Sequence, residues 1–233
     1  TSAELRALGD HLKRKKMWDL AASIYERVSD EVPPGSDMWL SYGEVQLETG
    51  EVDSAKEAFR SYYEARGKLA DDASKVAKIL VDAEHFEAAR TYLEAMFDSE
   101  RPALVQQAFA HYASYYEASA DTQAFSGLVQ RFLSKSQNPT KARRLIREEF
   151  EKLGMYEQAA EQIRTIRSFQ GDVMGYDLGR NLFRAGKVDE AGQILKEFAS
   201  EHAYPGDAWA MIAEFYWRHG EPDMARRAFD QAI

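Results

Sequence analysis

Residues 50–59 read Gly-Glu-Val-Asp-Ser-Ala-Lys-Glu-Ala-Phe, and the pattern of this stretch recurs along the chain. Its alanine, Ala55, has counterparts 34 residues away on either side, and a large apolar residue follows each alanine four positions later. A fixed period of this kind indicates that one small structural unit is copied several times. The pairs are Ala21 and Tyr25, Ala55 and Phe59, Ala89 and Leu93, Ala159 and Ile163, Ala191 and Leu195, and Ala225 and Phe229.

Glycines and prolines divide each unit into two segments. A glycine lies five residues before four of the repeated alanines, where a sharp turn between two helices requires a residue free of side-chain constraint. These glycines are Gly50, Gly154, Gly186 and Gly220. Prolines, which cannot continue a helix, stand between units at Pro33, Pro34, Pro102, Pro139 and Pro205. The pattern predicts a helix, a turn, a second helix and a break.

The first segment of each unit carries a small residue directly after a larger apolar one. Apolar residues three or four positions later fall on the same stripe of a helix, so this helix has one buried face. A small residue on that face allows a neighbouring helix to approach closely. The small residues are Gly9, Gly43, Ala77, Gly179 and Ala213.

These residues resemble the tetratricopeptide repeat family, in its bacterial type. The second unit is most similar, with an aromatic at Trp39, the pair Tyr42 and Gly43, and then Ala55 and Phe59. The resemblance implies an all-α fold, an α-solenoid of about seven helical hairpins forming a right-handed superhelix. It covers residues 1–233 as one domain, with repeats near 2–35, 36–70, 71–101, 102–138, 139–170, 171–204 and 205–233.

Two places depart from a regular array. In the fourth unit, Ala124 and Leu128 require a turn one residue shorter, so we expect an irregular hairpin there. The last unit stops without a polar capping helix, which would leave Ala225, Phe229 and Ala232 without a neighbour. We therefore expect the chain to be a fragment of a longer protein.

Composition excludes several classes of partner. The formal net charge of -9 repels phosphate backbones, which argues against nucleic acid as the main partner. No apolar stretch approaches the roughly 18 residues needed to cross a bilayer, so we expect no direct membrane insertion. The sequence leaves the cytoplasm and the periplasm both open, and it does not indicate an oligomeric state.

The sequence also contains no recognisable catalytic, metal-binding or phosphate-binding motif. There is no cysteine, and the five histidines lack a second ligand at a metal-binding spacing. The glycines do not form a phosphate-binding loop after a strand. We therefore predict no catalytic, metal-binding or cofactor-binding residues, and we predict that the chain is not an enzyme.

The candidate partner-binding residues lie near the C-terminus. Tyr176, Arg180 and Phe183 follow the helical spacing i, i+4, i+7, while Leu178, Gly179 and Leu182 take the buried face. Phe183 and Arg184 recur one unit later as Trp217 and Arg218. Aromatic side chains and arginines dominate binding energies when they become desolvated. The alternative is that Phe183 and Trp217 pack between neighbouring units.

The family resemblance implies a non-catalytic scaffold for protein–protein interaction. The predicted ligand is a peptide or helix of a partner protein, bound in the concave groove at Tyr176, Arg180, Phe183, Arg184, Trp217 and Arg218. The alternative function is a structural scaffold in a bacterial envelope assembly, similar to the repeat proteins of exopolysaccharide export.

Overall fold

A computed structural model describes residues 1–118, 122–170 and 174–233. Within these residues, the regular structure consists of fourteen α-helices and a short 3-10 helix at Ser29–Glu31. The α-helices are α1 Ser2–Arg14, α2 Trp18–Val28, α3 Asp37–Glu48, α4 Val52–Ala65, α5 Ala70–Asp82, α6 Phe86–Phe97, α7 Pro102–Ala118, α8 Thr122–Lys135, α9 Pro139–Lys152, α10 Tyr156–Gln170, α11 Gly175–Arg184, α12 Val188–Glu201, α13 Pro205–Arg218 and α14 Pro222–Ala232.

Consecutive helices pack in pairs, as the repeat predicts. The most extensive contacts join α1 to α2, α3 to α4, α5 to α6, α9 to α10, α11 to α12 and α13 to α14. Each pair is a helical hairpin, and its first helix also contacts a neighbouring hairpin. The prediction of an all-α fold with about seven hairpins is confirmed.

In the six hairpins whose turns the structure describes, the turn contains a residue in the left-handed region. The four glycines predicted for this position have φ values of +86°, +74°, +80° and +76° at Gly50, Gly154, Gly186 and Gly220. In two other hairpins the same position, five residues before the alanine, holds Lys16 and Glu84, with φ of 57° and 61°. A residue with a Cβ is strained in this conformation. The hairpin therefore imposes this backbone conformation, and glycine only reduces its strain.

The two sequence signatures of a repeat meet inside its hairpin. A Cβ added to Gly43 would lie 2.7 Å from Cδ1 of Phe59, and one added to Gly179 would lie 2.5 Å from Cγ of Leu195. In both pairs the small residue of the first helix faces the large residue that follows the alanine of the second helix. The predicted close approach of the two helices is thus present, and a larger side chain would prevent it.

The repeated alanines and the prolines also take the predicted places. Five of the alanines have no exposed surface, and Ala225 of the last hairpin is buried as well, although Phe229 beside it is exposed. Proline opens a first helix at Pro102, Pro139 and Pro205, where its missing N–H costs no hydrogen bond. These three prolines therefore begin the next hairpin, in addition to ending the preceding one.

The chain forms two compact units, Thr1–Phe125 and Ser126–Ile233. The first contains α1 to α7 and the start of α8, and the second contains the remainder of α8 and α9 to α14. The shorter turn predicted for the fourth repeat lies at residues outside the described ranges.

A buried polar cluster joins the second and third hairpins. Asp72 of α5 is only 2% exposed and accepts hydrogen bonds from Tyr62 (2.7 Å) and Lys75 (3.1 Å), and it forms an ion pair with Arg66 (2.9 Å). Burial alone would raise the pKa of Asp72, but the donors from Arg66, Tyr62 and Lys75 outweigh it and hold the pKa below its usual value. The carboxylate is therefore a charged link between α4 and α5.

Candidate functional site

Helix α11 carries four of the six predicted partner-binding residues. It begins after Met174, which has a φ of +66°, and a Cβ on its first residue, Gly175, would lie 3.2 Å from Cβ of Phe198. Leu178 and Leu182 are buried against α12, as expected from the helical spacing. Other residues of α11 contact α9 and α13.

Tyr176 and Arg180 come together one turn apart on α11. The guanidinium carbon of Arg180 lies 5.5 Å from the centre of the Tyr176 ring, and its Nη1 lies 3.6 Å from Oδ1 of Asp177. The Tyr176 hydroxyl donates to the carbonyl oxygen of Met211 on α13, at 3.4 Å. Burial raises the pKa of Tyr176, and the Arg180 charge partly opposes this shift. These contacts hold the arginine over the ring.

Phe183 of α11 packs against residues of α13 and against His219, which follows that helix. Its ring centre lies 5.3 Å from that of Phe215, 5.5 Å from that of Tyr216 and 5.9 Å from that of His219, each in an edge-on arrangement. Edge-to-face pairs add to the stability gained from burial. Packing between neighbouring hairpins, the alternative kept open for Phe183, accounts for these contacts. A role for its remaining exposed surface in binding stays a prediction.

Arg184 connects α11 to both neighbouring hairpins. Its guanidinium carbon lies 5.4 Å from the ring centre of Tyr156, the first residue of α10. Its Nε donates to Nε2 of His219, at 3.4 Å, just after α13. Both partners are aromatic rings and neither is a carboxylate.

Trp217 and Arg218 lie on the outside of α13. Trp217 is 70% exposed, and Arg218 forms an exposed ion pair with Glu214 one turn earlier. Trp217 is eight residues before Ala225, as Phe183 is eight residues before Ala191. Residues in this position point toward the first helix of a following hairpin, as Phe183 does. In the described structure, the Trp217 ring is open to solvent.

An ionic network between α9 and α11 escaped the sequence reasoning. Arg147 of α9 contacts Asp177 of α11 (3.4 Å) as well as Glu148 (3.2 Å) and Glu151 (3.9 Å) of its own helix. Asn181 of α11 donates to Oε1 of Glu151 at 2.7 Å and to the carbonyl oxygen of Asp177 at 2.9 Å. Charged and polar side chains therefore join α11 to α9, whereas aromatic rings join α11 to α13.

One departure from the repeat could have revealed this network. Arg147 lies twelve residues before Ala159, where Gly43 precedes Ala55 and Gly179 precedes Ala191 by the same distance. A long charged side chain thus replaces the small residue, and only 13% of it is exposed. A charge this deeply placed requires partners, and α11 supplies one of them.

The described residues were searched for metal sites and for membrane-spanning helices. In residues 1–118, 122–170 and 174–233, no three His, Asp or Glu side chains converge as a metal site would need. Among the same residues, no helix has both the length and the apolar character to cross a membrane.

Comparison with known proteins decides the family. The sequence matches the tetratricopeptide repeat family at residues 6–70 and 176–233, more than half of the chain. The chain belongs to the tetratricopeptide repeat family. Members of this family generally act as protein-interaction scaffolds and are typically non-catalytic. No curated protein matches this sequence.

Several solved structures of bacterial tetratricopeptide proteins have a similar fold. A repeat protein from Parabacteroides merdae is 14% identical, with 99% of this chain and 91% of that chain covered and a TM-score of 0.45. The C-terminal part of a repeat-containing protein from Cytophaga hutchinsonii is 12% identical, with 96% and 93% covered and a TM-score of 0.45. The pilF protein of Pseudomonas aeruginosa is 15% identical, with 82% and 87% covered and a TM-score of 0.39. Likeness at this level carries no argument about partners.

Proposed function

We propose that this tetratricopeptide repeat chain is a non-catalytic scaffold that binds a peptide or helix of a partner protein. The binding residues form what we call the α11–α13 surface. They are Tyr176, Arg180, Phe183, Arg184, Trp217 and Arg218. The matching ligand carries apolar side chains for the exposed aromatic surface and carboxylates for the arginines.

The exposure of Trp217 is the observation that carries this proposal. A tryptophan that is 70% exposed offers a large apolar area, and such residues commonly become centres of binding energy when a partner covers them. Scattered exposed apolar residues are common on protein surfaces. Here Trp217 shares its surface with arginines, which gives a ligand both an apolar anchor and charged donors.

The arginines favour an acidic ligand. Arg184 contacts the Tyr156 ring and His219 but no carboxylate, so its planar donors remain suited to pairing with a partner's carboxylate. Arg180 is held over the Tyr176 ring, which reduces the side-chain entropy that it would lose on binding. Both features support specificity for acidic residues next to an apolar anchor.

Selection from a display library of random peptides tests the proposal. We expect enrichment of peptides that combine acidic and large apolar residues. Their binding should fall about tenfold with Trp217→Ala or Arg184→Ala, which corresponds to the loss of a central interface contact. Arg226→Ala, which removes an exposed arginine of α14, is the control. Selected peptides that bind both variants as tightly as the unchanged protein would contradict the proposal.

A further inference from the structure

One carboxylate of α11 contacts two arginines. Oδ2 of Asp177 accepts a hydrogen bond from Nη1 of Arg147 on α9, at 3.4 Å, and Oδ1 of the same carboxylate lies 3.6 Å from Nη1 of Arg180. The two arginines lie on the first helices of neighbouring hairpins, and only Arg180 belongs to the α11–α13 surface. Asp177 therefore connects a residue outside that surface to one inside it.

The two contacts of Asp177 differ in kind. The contact with Arg147 has the geometry of a hydrogen bond, whereas the 3.6 Å separation from Arg180 leaves an ion pair without one. Arg180 also lies over the Tyr176 ring, and 28% of its side chain is exposed. Part of the Arg180 side chain therefore remains accessible to a carboxylate of a ligand.

Arg147 prevents Asp177 from pairing fully with Arg180. A carboxylate binds an arginine most strongly when both of its oxygens accept hydrogen bonds from the guanidinium. Oδ2 of Asp177 is already engaged by Arg147, so Asp177 offers Arg180 a single oxygen. Only 13% of the Arg147 side chain is exposed, and a charge this deeply placed loses its carboxylate partners only at a high cost in free energy.

We propose that Arg147 is a positioning residue for the α11–α13 surface, which engages Asp177 and so keeps Arg180 available to a carboxylate of the partner. This inference rests on the proposed function of that surface. Without Arg147, both oxygens of Asp177 are free to pair with Arg180, three residues away on the same helix. Asp177 then occupies the guanidinium that the partner's carboxylate requires.

The change in local charge on removing Arg147 needs a control of its own. Glu148 pairs with Arg147 at 3.2 Å, and among the described residues it forms no ion pair with Arg180. Glu148→Gln and Asp177→Asn each remove one negative charge next to Arg147. Of the two, only Asp177→Asn removes a carboxylate that contacts Arg180, so the pair separates competition for Arg180 from a general effect of charge.

Fluorescence anisotropy with a display-selected acidic peptide, chosen because Trp217→Ala and Arg180→Ala weaken its binding, tests the proposal. We expect Arg147→Met to weaken binding about fivefold, and addition of Asp177→Asn to restore the affinity to within about twofold of the unchanged protein. Addition of Glu148→Gln should leave the loss in place. Arg144→Met, an exposed change on α9, is the control and should have no effect.

The chemical reactivity of Arg180 gives a second readout that needs no partner. Phenylglyoxal modifies accessible guanidinium groups, and mass spectrometry of proteolytic peptides measures the rate at Arg180. We expect this rate to fall at least about threefold in Arg147→Met and to recover when Asp177→Asn is added, because a fully paired guanidinium is shielded. If no selected peptide requires Trp217 and Arg180, the proposed function fails, and this rate still decides the role of Arg147.

Three outcomes would overturn the proposal. The first is that Arg147→Met changes neither the peptide affinity nor the Arg180 modification rate. The second is that Glu148→Gln restores binding as well as Asp177→Asn does, because charge alone would then explain the loss. The third is that Asp177→Asn alone, which keeps Arg147, binds the peptide more weakly than the unchanged protein, because Asp177 would then support Arg180. Circular dichroism establishes that each variant is folded, and the third comparison decides the question if Arg147→Met does not fold.

Discussion

The ring of Phe59 occupies the space that a side chain on Gly43 would need. A Cβ at Gly43 would lie 2.7 Å from Cδ1 of this ring, closer than real Cβ atoms come to a neighbour. The same relation joins Gly9 to Tyr25, again sixteen residues apart. In these hairpins the glycine of the first helix and the large residue of the second helix therefore form one contact.

Replacing Gly43 should therefore destabilise the second hairpin. We expect Gly43→Leu to lower the free energy of unfolding of the first compact unit by about 3 kcal/mol or more, because the Phe59 ring cannot move without opening the core. Urea unfolding followed by circular dichroism measures the change. Gly192→Ala is the matched control, since that helical glycine has open space around it and alanine should stabilise by about 0.5–1 kcal/mol. Unchanged stability of Gly43→Leu would contradict the proposed packing.

Glycine should be the better residue at two of the hairpin turns. Lys16 and Glu84 have left-handed φ values at the position that glycine fills in four other hairpins. We expect Lys16→Gly and Glu84→Gly each to raise the free energy of unfolding by about 0.5–1 kcal/mol, the relief of Cβ strain less the entropy cost of glycine. Lys15→Gly, at a φ of -88°, should bring no gain. A gain at Lys15 as large as that at Lys16 would show that the strain argument is wrong.

Asp72 should make the first unit sensitive to acid. Its folded pKa is lowered, so its contribution to stability is complete above the ordinary aspartate pKa of about 3.9 and is lost as the pH falls through the folded pKa. We expect Asp72→Asn to lose about 2 kcal/mol near pH 7 and to show a flatter decline in stability below about pH 4. Denaturant unfolding across this pH range measures both effects.

The neighbouring aspartate provides the control for this prediction. Asp71 is exposed and pairs with Arg101 on the surface, so Asp71→Asn should change stability by less than about 0.5 kcal/mol. An acid profile of Asp72→Asn that matches that of the unchanged protein would mean that the buried carboxylate is not the source of the pH dependence.

Arg147 should be needed for the contact between α9 and α11. Removing its guanidinium leaves Asp177 and Glu151 without their shared cation, so we expect Arg147→Ala to destabilise the second compact unit by about 1–2 kcal/mol. Arg144→Ala, an exposed change on the same helix, should have little effect. Hydrogen exchange of the α11 amides, compared between the two variants, separates these outcomes. Equal exchange rates in both would rule out a special role for Arg147.

The repeat pattern predicted the hairpins because their contacts recur at fixed spacing. Several units repeat the contact of Gly43 with Phe59 and the left-handed turn at Gly50, so one sequence contains several independent examples of the same contact. The partners of Arg147 and Asp72 could not be predicted in this way. Asp177 lies 30 residues from Arg147, on a neighbouring hairpin.

The candidate site was harder to predict for a similar reason. Phe183 and Trp217 occupy the same position in successive repeats, and a large aromatic residue there suits both packing and binding. The deciding factor is what lies opposite each ring, which a spacing pattern does not encode. Phe183 faces Phe215 and Tyr216, whereas Trp217 is open to solvent.

Isothermal titration calorimetry of a selected peptide tests the scaffold function most directly. The peptide is titrated into the unchanged protein and into Trp217→Ala, Arg180→Ala and the control Arg226→Ala. We expect the first two variants to weaken binding by at least about 1 kcal/mol each, with Arg226→Ala unchanged, because Trp217 and Arg180 are central contacts of the α11–α13 surface. Equal affinity of all four folded proteins would contradict the account and remove this surface as the binding site.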